Sequence, residues 1–191
     1  MAQEIKTDIC IIGAGSGGLS VAAGAQQMGS ETVLIEKDKM GGDCLNTGCV
    51  PSKALLAAGH AAEAMRYGQR FGITAGTPKV DWAQVHAHVH GAIATIEPND
   101  SVERFESLGV NVIQSEGRFI DRRTVEAGNT RITARRFVIA TGSSALVPPI
   151  AGIEDVPYLT NESVFELKEL PRHLIVVGGG PIGLEMAQAF R

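Results

Sequence analysis

The run Asp8-Ile-Cys-Ile-Ile12 passes directly into Gly13-Ala-Gly-Ser-Gly-Gly18, then into a helix-length segment over 19–28 and a second apolar run, Thr32-Val-Leu-Ile-Glu36. A short apolar run without polar alternation reads as a strand buried on both faces, and such strands belong to parallel sheets covered by helices. Strand, glycine turn, helix and strand in that order form a β-α-β unit. The spacing Gly13-x-Gly15-x-x-Gly18 has a physical meaning at this junction. One glycine makes the tight turn, one lets the backbone approach a pyrophosphate, and one lets helix and strand pack closely. The helix N-terminus then offers unbonded N–H groups and partial positive charge to phosphates. Glu36 closes the second strand, where an acid can accept hydrogen bonds from a ribose. The expectation is a dinucleotide-binding unit.

The pattern recurs. His173-Leu-Ile-Val-Val177 reads as a strand, Gly178-x-Gly180-x-x-Gly183 as the turn, and the residues from Leu184 onward as a helix. Two such units suggest two dinucleotides, one held and one exchanging, as when hydride passes between a nicotinamide and a flavin. The ribose-reading acid of the second unit would lie beyond Arg191, so the chain reads as a fragment of a longer protein. The domain reading is 1–150 for a first unit and 151–191 for a connection and the start of a second.

Between the two loops, Pro51 is expected to open a helix to about residue 65, since proline is tolerated at the first helical position. Asp81 is a plausible N-cap for a helix to about residue 108, with a break at Glu97-Pro98-Asn99. Short strands are expected at 110–114, 117–120, 124–126 and 131–133, with a hairpin turn at Gly128-Asn129. A separate buried strand follows at 136–140, and a short helix near 161–167.

Composition removes several classes. With 17 Lys+Arg against 21 Asp+Glu, the formal charge of −4 gives no electrostatic footprint for nucleic acid or an anionic membrane. Residues 9–30 carry no charge and are long enough to span a bilayer. Their six glycines and the break at Gly13 fit a strand, turn and helix better. The N-terminus carries both charge signs before any apolar run, unlike a secretory signal. A soluble, cytoplasmic protein is expected.

Three cysteines do not make a disulfide scaffold. Cys10 lies mid-strand and reads as a small core residue. The other two stand in Gly41-Gly-Asp-Cys44-Leu-Asn-Thr-Gly-Cys49-Val-Pro-Ser-Lys53. Within a regular helix, residues five apart have Cα atoms about 8–9 Å apart, whereas a disulfide needs about 4.4–6.8 Å. Gly48 and a helix starting at Val50 or Pro51 supply an irregularity that could bring the cysteines together. Cys49 would then stand at a helix N-terminus, where the dipole favours thiolate over thiol. A redox pair fits best. A zinc site would want two further compact ligands, and His60 is alone. Inert buried cysteines are the third reading, against which the surrounding glycines argue. His86 and His90 share a helical face, with His88 between them. Without a third ligand in view they read as solvated helix histidines, and no metal site is assigned. Arg122-Arg123 and Arg135-Arg136 read as solvated hairpin and strand-end charges.

Four motifs stand in order: the first glycine loop with Glu36, the cysteine stretch, Ile139-Ala-Thr-Gly142, and the second loop ending Gly183-Leu-Glu185-Met-Ala. Together they resemble the pyridine nucleotide–disulfide oxidoreductases, over essentially the whole chain. The resemblance implies an α/β fold: a Rossmann-like FAD-binding domain with a parallel sheet and an added β-meander, plus the first β-α of a second Rossmann-like NAD(P) domain. It implies FAD held by Gly13, Gly15, Ser16, Gly17, Gly18, Glu36, Lys37, Gly42, Asp43, Gly48, Lys53, Gly117, Ala140, Thr141 and Gly142, next to the two cysteines. NAD(P)H would be met by Gly178, Gly180 and Gly183. Cys49 would be the thiol facing the flavin and Cys44 the outer thiol that attacks substrate, with Lys53 and Glu185 an ion pair beside them. The branch nearest in the motif Cys49-Val-Pro-Ser-Lys53 is that of dihydrolipoamide dehydrogenase and mercuric reductase. The substrate would then be a small or protein-bound disulfide or dithiol, or Hg(II), and the whole protein a homodimer. A non-catalytic flavin-binding module is the competing class. Two departures stand out: Asp43 replaces a threonine frequent in relatives, and Pro181 replaces a tyrosine that covers the nicotinamide site. The family's His-Glu pair and dimerisation domain would lie beyond residue 191, so the chain as cut should not turn over.

Overall fold

A computed structural model describes residues 3–191. In chain order the elements are β1 (Gln3–Ile12), α1 (Ser16–Gln27), β2 (Thr32–Glu36), α2 (Gly42–Asn46), α3 (Cys49–Tyr67) and α4 (Trp82–Ile96). After them come α5 (Val102–Ser107), β3 (Asn111–Gln114), β4 (Gly117–Phe119), β5 (Thr124–Ala127), β6 (Thr130–Ile139) and α6 (Pro181–Phe190). They gather into two compact units interleaved along the chain. One takes in the chain to Asn46 together with Ile96–Ser144; the other takes in Thr47–Thr95 with Ala145–Arg191.

The first unit is built on a six-stranded sheet of order β3-β2-β1-β6-β5-β4. Strands β3, β2, β1 and β6 run parallel, while β5 and β4 return antiparallel as a meander. This is the mixed α/β, largely parallel architecture expected from the sequence. Alternate residues of the central strands go to opposite faces. Cys10, Ile12, Val33 and Ile35 join Val125, Ala127, Ile132 and Ala134 in one apolar layer. Ile11 and Leu34 join Leu19 and Ala22 of α1 and Phe105 of α5 in the other. Gly117 brings β4 onto the first face: a Cβ there would stand 3.3–3.4 Å from Ile35 and Ile12. Cys10 is fully buried, and burial pushes its thiol up to about 12, as an inert core thiol requires.

Several sequence expectations need correction. The strands expected at 131–133 and 136–140 are one strand, β6, paired with β1 from Gln3↔Thr130 to Ile12↔Ile139. The arginines that break the apolar run are exposed, and Arg135 Nη1 donates to Asp8 Oδ1 on β1 at 2.9 Å. That guanidinium, with the Glu31 N–H, holds the Asp8 carboxyl below its usual range. The short helix expected near 161–167 is a single 3-10 turn, Val164–Glu166. The strand expected at 173–177 does not form among the described residues; Ile175 and Val177 are 76% and 65% exposed. An apolar pattern encodes burial, but a strand exists through its ladder partners, and none of the described strands pairs with it. Helices α1 and α6 begin at Ser16 and Pro181, earlier than read, because the loops close directly into their first turns. The break at Pro98 stands: α4 ends at Ile96 in a short turn, Glu97–Asp100, before α5. Asp81 does cap α4, accepting from the Gln84 N–H at 3.3 Å.

The second unit packs α3, α4 and α6 around Ala54, Leu55, Val89, Val164, Phe165 and Met186. Gly59 lets α3 approach α6, since a Cβ there would lie 3.1 Å from the Ala189 carbonyl. Trp82 stacks on Phe190 at 5.6 Å, and its Nε1–H donates to the Leu167 carbonyl at 2.7 Å. Trp82→Phe keeps most of the apolar contact and removes that bond, which costs about 1 kcal/mol. Thermal unfolding should fall by about 2–4 °C. No helix among the described residues is long and apolar enough to cross a membrane.

Candidate cofactor and redox site

In the first unit, strands β1, β2 and β6 end at one edge of the sheet. The Gly13 N–H donates to the Ile35 carbonyl and the Ala140 N–H to the Ile12 carbonyl, both at 2.8 Å. The chain leaves β1 for β2 on one side, while β6 flanks it on the other, so the carboxyl end of β1 is where strand order reverses. Ligands of open α/β sheets bind at that point. The glycines there are needed for measurable reasons. Gly13 has φ +104°, and a Cβ on it would lie 2.2 Å from the Ala140 carbonyl oxygen. A Cβ on Gly18 would lie 1.9 Å from the Gly13 carbonyl oxygen. Gly15 meets only Gly42, whose own Cβ would come within 2.7 Å of the Gly15 Cα. The Gly41 N–H donates to the Ala14 carbonyl at 2.9 Å. Backbone at Gly13, Gly15 and Gly42 lines the part of this edge beneath the N-terminus of α1, which has no acidic residue in its first turn and no side-chain cap.

Glu36 is buried at the same edge. Its Oε2 accepts from the Ala14 N–H at 2.6 Å and its Oε1 from the Asp38 N–H at 2.8 Å. A carboxylate offers about four lone-pair sites, so two remain for vicinal hydroxyls. This cradle fits the pyrophosphate and ribose of a dinucleotide. Ala14 and Gly41 belong to it and were missed in the sequence; the signal for Gly41 was its place beside Gly42. Ser16, Gly17, Lys37, Thr141 and Gly142 are exposed around it, with Ala140 and Gly117 half-buried. Asp43 is exposed in the first turn of α2, where a helix N-terminus favours an acid.

The second unit repeats the loop. Gly178 has φ +118°, and a Cβ on Gly183 would lie 2.5 Å from the Gly178 carbonyl oxygen. The N-cap conformations match closely: φ −75°, ψ −177° at Gly15 and φ −75°, ψ 173° at Gly180. Pro181 occupies the first helical turn of α6, where its missing N–H costs nothing.

Cys44 is half-buried in α2, in the first unit. Cys49 is exposed and is the first residue of α3, in the second, directly after Gly48. Lys53 follows Cys49 by one helical turn on the same face. Its Nζ donates to Glu185 Oε1 of α6 at 2.6 Å, with the Ser52 hydroxyl 3.5 Å away. Lys53 foremost, and then Ser52, holds the Glu185 carboxyl below the ordinary range, against partial desolvation. The sign follows: the pairing stabilises above the ordinary carboxylate range and is lost as pH falls through the depressed value. In Glu185→Gln the acid-side decline in melting temperature should be shallower than in the parent, by no more than a few degrees for so exposed a pair. Parallel acid-side slopes would contradict the pairing.

The profile of the family described as pyridine nucleotide-disulphide oxidoreductase matches residues 7–191. Mercuric reductase of Staphylococcus aureus is 37% identical over 183 residues, covering 96% of this chain and 34% of that protein. Dihydrolipoyl dehydrogenase of Bacillus subtilis is 36% identical over 191 residues, covering 97% and 40%. Among solved structures, the HOCl-induced flavoprotein disulfide reductase RclA of Escherichia coli superposes with a TM-score of 0.81 at 28% identity, covering 96% of this chain and 39% of that one. The chain thus spans about a third to two-fifths of these relatives. It belongs to the pyridine nucleotide–disulfide oxidoreductase family, whose members work with FAD and NAD(P)H.

Proposed function

We propose that the protein carrying this chain exchanges an electron pair between NAD(P)H and a disulfide or dithiol substrate through Cys44 and Cys49. The observation that carries this reading is Cys49 as the opening residue of a 19-residue helix, one turn before a lysine held by Glu185. A helix N-terminus leaves backbone N–H groups free to donate to a group held there. In this reading residues 1–150 form the FAD domain and 151–191 begin the NAD(P) domain. The Gly13–Gly18 loop and Glu36 would hold the FAD pyrophosphate and ribose, and the Gly178–Gly183 loop would meet the nicotinamide dinucleotide. FAD, when bound there, would supply two-electron chemistry between the nicotinamide and the cysteines. The chain's own chemistry is thiol exchange. The Cys44 thiolate attacks a substrate sulfur, forming a mixed disulfide and releasing one substrate thiolate. The Cys49 thiolate then attacks Cys44 Sγ, closing the Cys44–Cys49 disulfide and releasing the second substrate thiolate. Two electrons leave the pair, and each released thiolate takes a proton from solvent; the reverse sequence oxidises a dithiol.

The mercuric reductases among the relatives favour a second substrate, Hg(II), which two thiolates would ligate before it takes the electron pair. Anaerobic titration with NAD(P)H or dithiol tests the common core. A long-wavelength thiolate–flavin band should grow in the parent and be absent in Cys49→Ser. A band that persists in that variant overturns the assignment. Parallel assays with a lipoyl dithiol and with Hg(II) assign the substrate.

A further inference from the structure

Away from the cysteines, the second unit holds another group of ligating side chains. His86 and His90 stand one turn apart on α4, their rings 4.2 Å between centroids. Glu166 comes to them from the Val164–Glu166 turn, with Oε1 3.8 Å from His90 Nε2. One ligand atom from each of the three lies within 4.8 Å of the others. The Nε2 atoms of both histidines are shielded from solvent and have no hydrogen-bond partner among the described residues. Two shielded, unpartnered imidazole nitrogens facing a carboxylate are costly unless something satisfies them.

The scaffold is firm on every side. Val89 on α4 and Val164 and Phe165 of the turn are buried in one cluster, and Trp82 ties Leu167 to α4. Glu166 therefore sits between two anchored neighbours. Tetrahedral ligands about 2.0–2.1 Å from an ion lie about 3.4 Å apart, a small closure from the separations present. Two histidines at i and i+4 on a helix with one carboxylate form a donor set suited to a borderline divalent ion, with water in the fourth position.

We propose that His86, His90 and Glu166 form a binding site for a first-row divalent cation of the zinc type, which ties α4 to the 164–166 turn. The carboxylate is what sequence reading lacked, because it stands far along the chain on an unrelated turn. His88 is exposed on the same helix and stands outside the ligand set.

The test uses metal-stripped protein in a Cys44→Ser/Cys49→Ser background, so that thiol binding cannot contribute, with Zn2+ as the titrant and Co2+ as the spectroscopic probe. One zinc per chain should bind, Co2+ should give the visible bands of an N/O site, and zinc should raise the melting temperature. His86→Gln and His90→Gln should each weaken zinc by at least about tenfold and abolish the thermal shift; the exposed Glu166→Gln, which leaves the core intact, should also weaken it. His88→Gln should bind as its parent does. Absence of binding in the parent background, or equal affinity in Glu166→Gln and in both histidine variants, overturns the site. Failure of the cysteine chemistry would leave this result unaffected, because the cysteines are already removed.

Discussion

Cys44→Ser and Cys49→Ser should each lower substrate turnover by at least about a thousandfold while leaving flavin bound. The two losses should differ in kind. Cys44 is the half-buried member in the short α2, and in the proposed exchange it makes and breaks the bond to substrate sulfur. Its serine variant should lose substrate reduction yet keep one thiol able to change the flavin spectrum. Cys49 opens α3, and its serine variant should lose that spectral change as well. Removing both should cost little more than removing one, since residues that act as a unit are not additive. Steady-state assays on the single and double variants check this; a single variant that kept more than a tenth of parental turnover would contradict it.

The second large effect concerns the fold of the first glycine loop. A methyl group on Gly18 would stand 1.9 Å from the Gly13 carbonyl oxygen, and one on Gly13 would stand 2.2 Å from the Ala140 carbonyl oxygen at φ +104°. Both obstacles are backbone, held by the Gly13 N–H bond to Ile35 of β2 and the Ala140 N–H bond to Ile12 of β1, so neither can swing aside. Gly18→Ala and Gly13→Ala should each destabilise by more than about 3 kcal/mol. Flavin should be lost with the fold. Gly17 is the internal control. Nothing lies within 4 Å of its Cβ position, and it sits in the first turn of α1. Gly17→Ala should be neutral or stabilising by about 0.5–1 kcal/mol. Urea unfolding of the three variants measures the contrast; similar stabilities would refute the packing account.

The elements legible in the sequence were those whose signal is local. Strand β2 runs from Thr32 to Glu36 as read, because three consecutive apolar residues, Val33, Leu34 and Ile35, closed by an acid leave little choice. The glycine loops were legible because tight turn, close approach and close packing each demand the residue without a side chain; the positive φ of Gly13 and Gly178 and the close packing at Gly18 and Gly183 recur in both copies. Pro98 stopped α4 through its own ring. What escaped was non-local. The arginines at 135 and 136 hid the continuity of β6, since their tolerance depends on Asp8 across the ladder and on solvent. The 173–177 run looked like a strand because pattern encodes burial and says nothing of ladder partners. Glu36 was read as an acceptor for a ribose, and its bonds to the Ala14 and Asp38 N–H groups escaped that reading because they are set by how the turn folds back. Glu166 could not be linked to His86 and His90 from the sequence, because only the folded chain brings its turn against α4.

The central claim is that residues 44 and 49 form one two-electron couple. Peptide mapping after alkylation, on oxidised protein before and after anaerobic addition of NAD(P)H, measures this directly. A Cys44–Cys49 cross-linked peptide should be present at the start and be replaced by two alkylated thiols once one equivalent of electron pairs has been delivered. Alkylation of both residues in the oxidised protein, or a cross-link indifferent to NAD(P)H, would contradict the account.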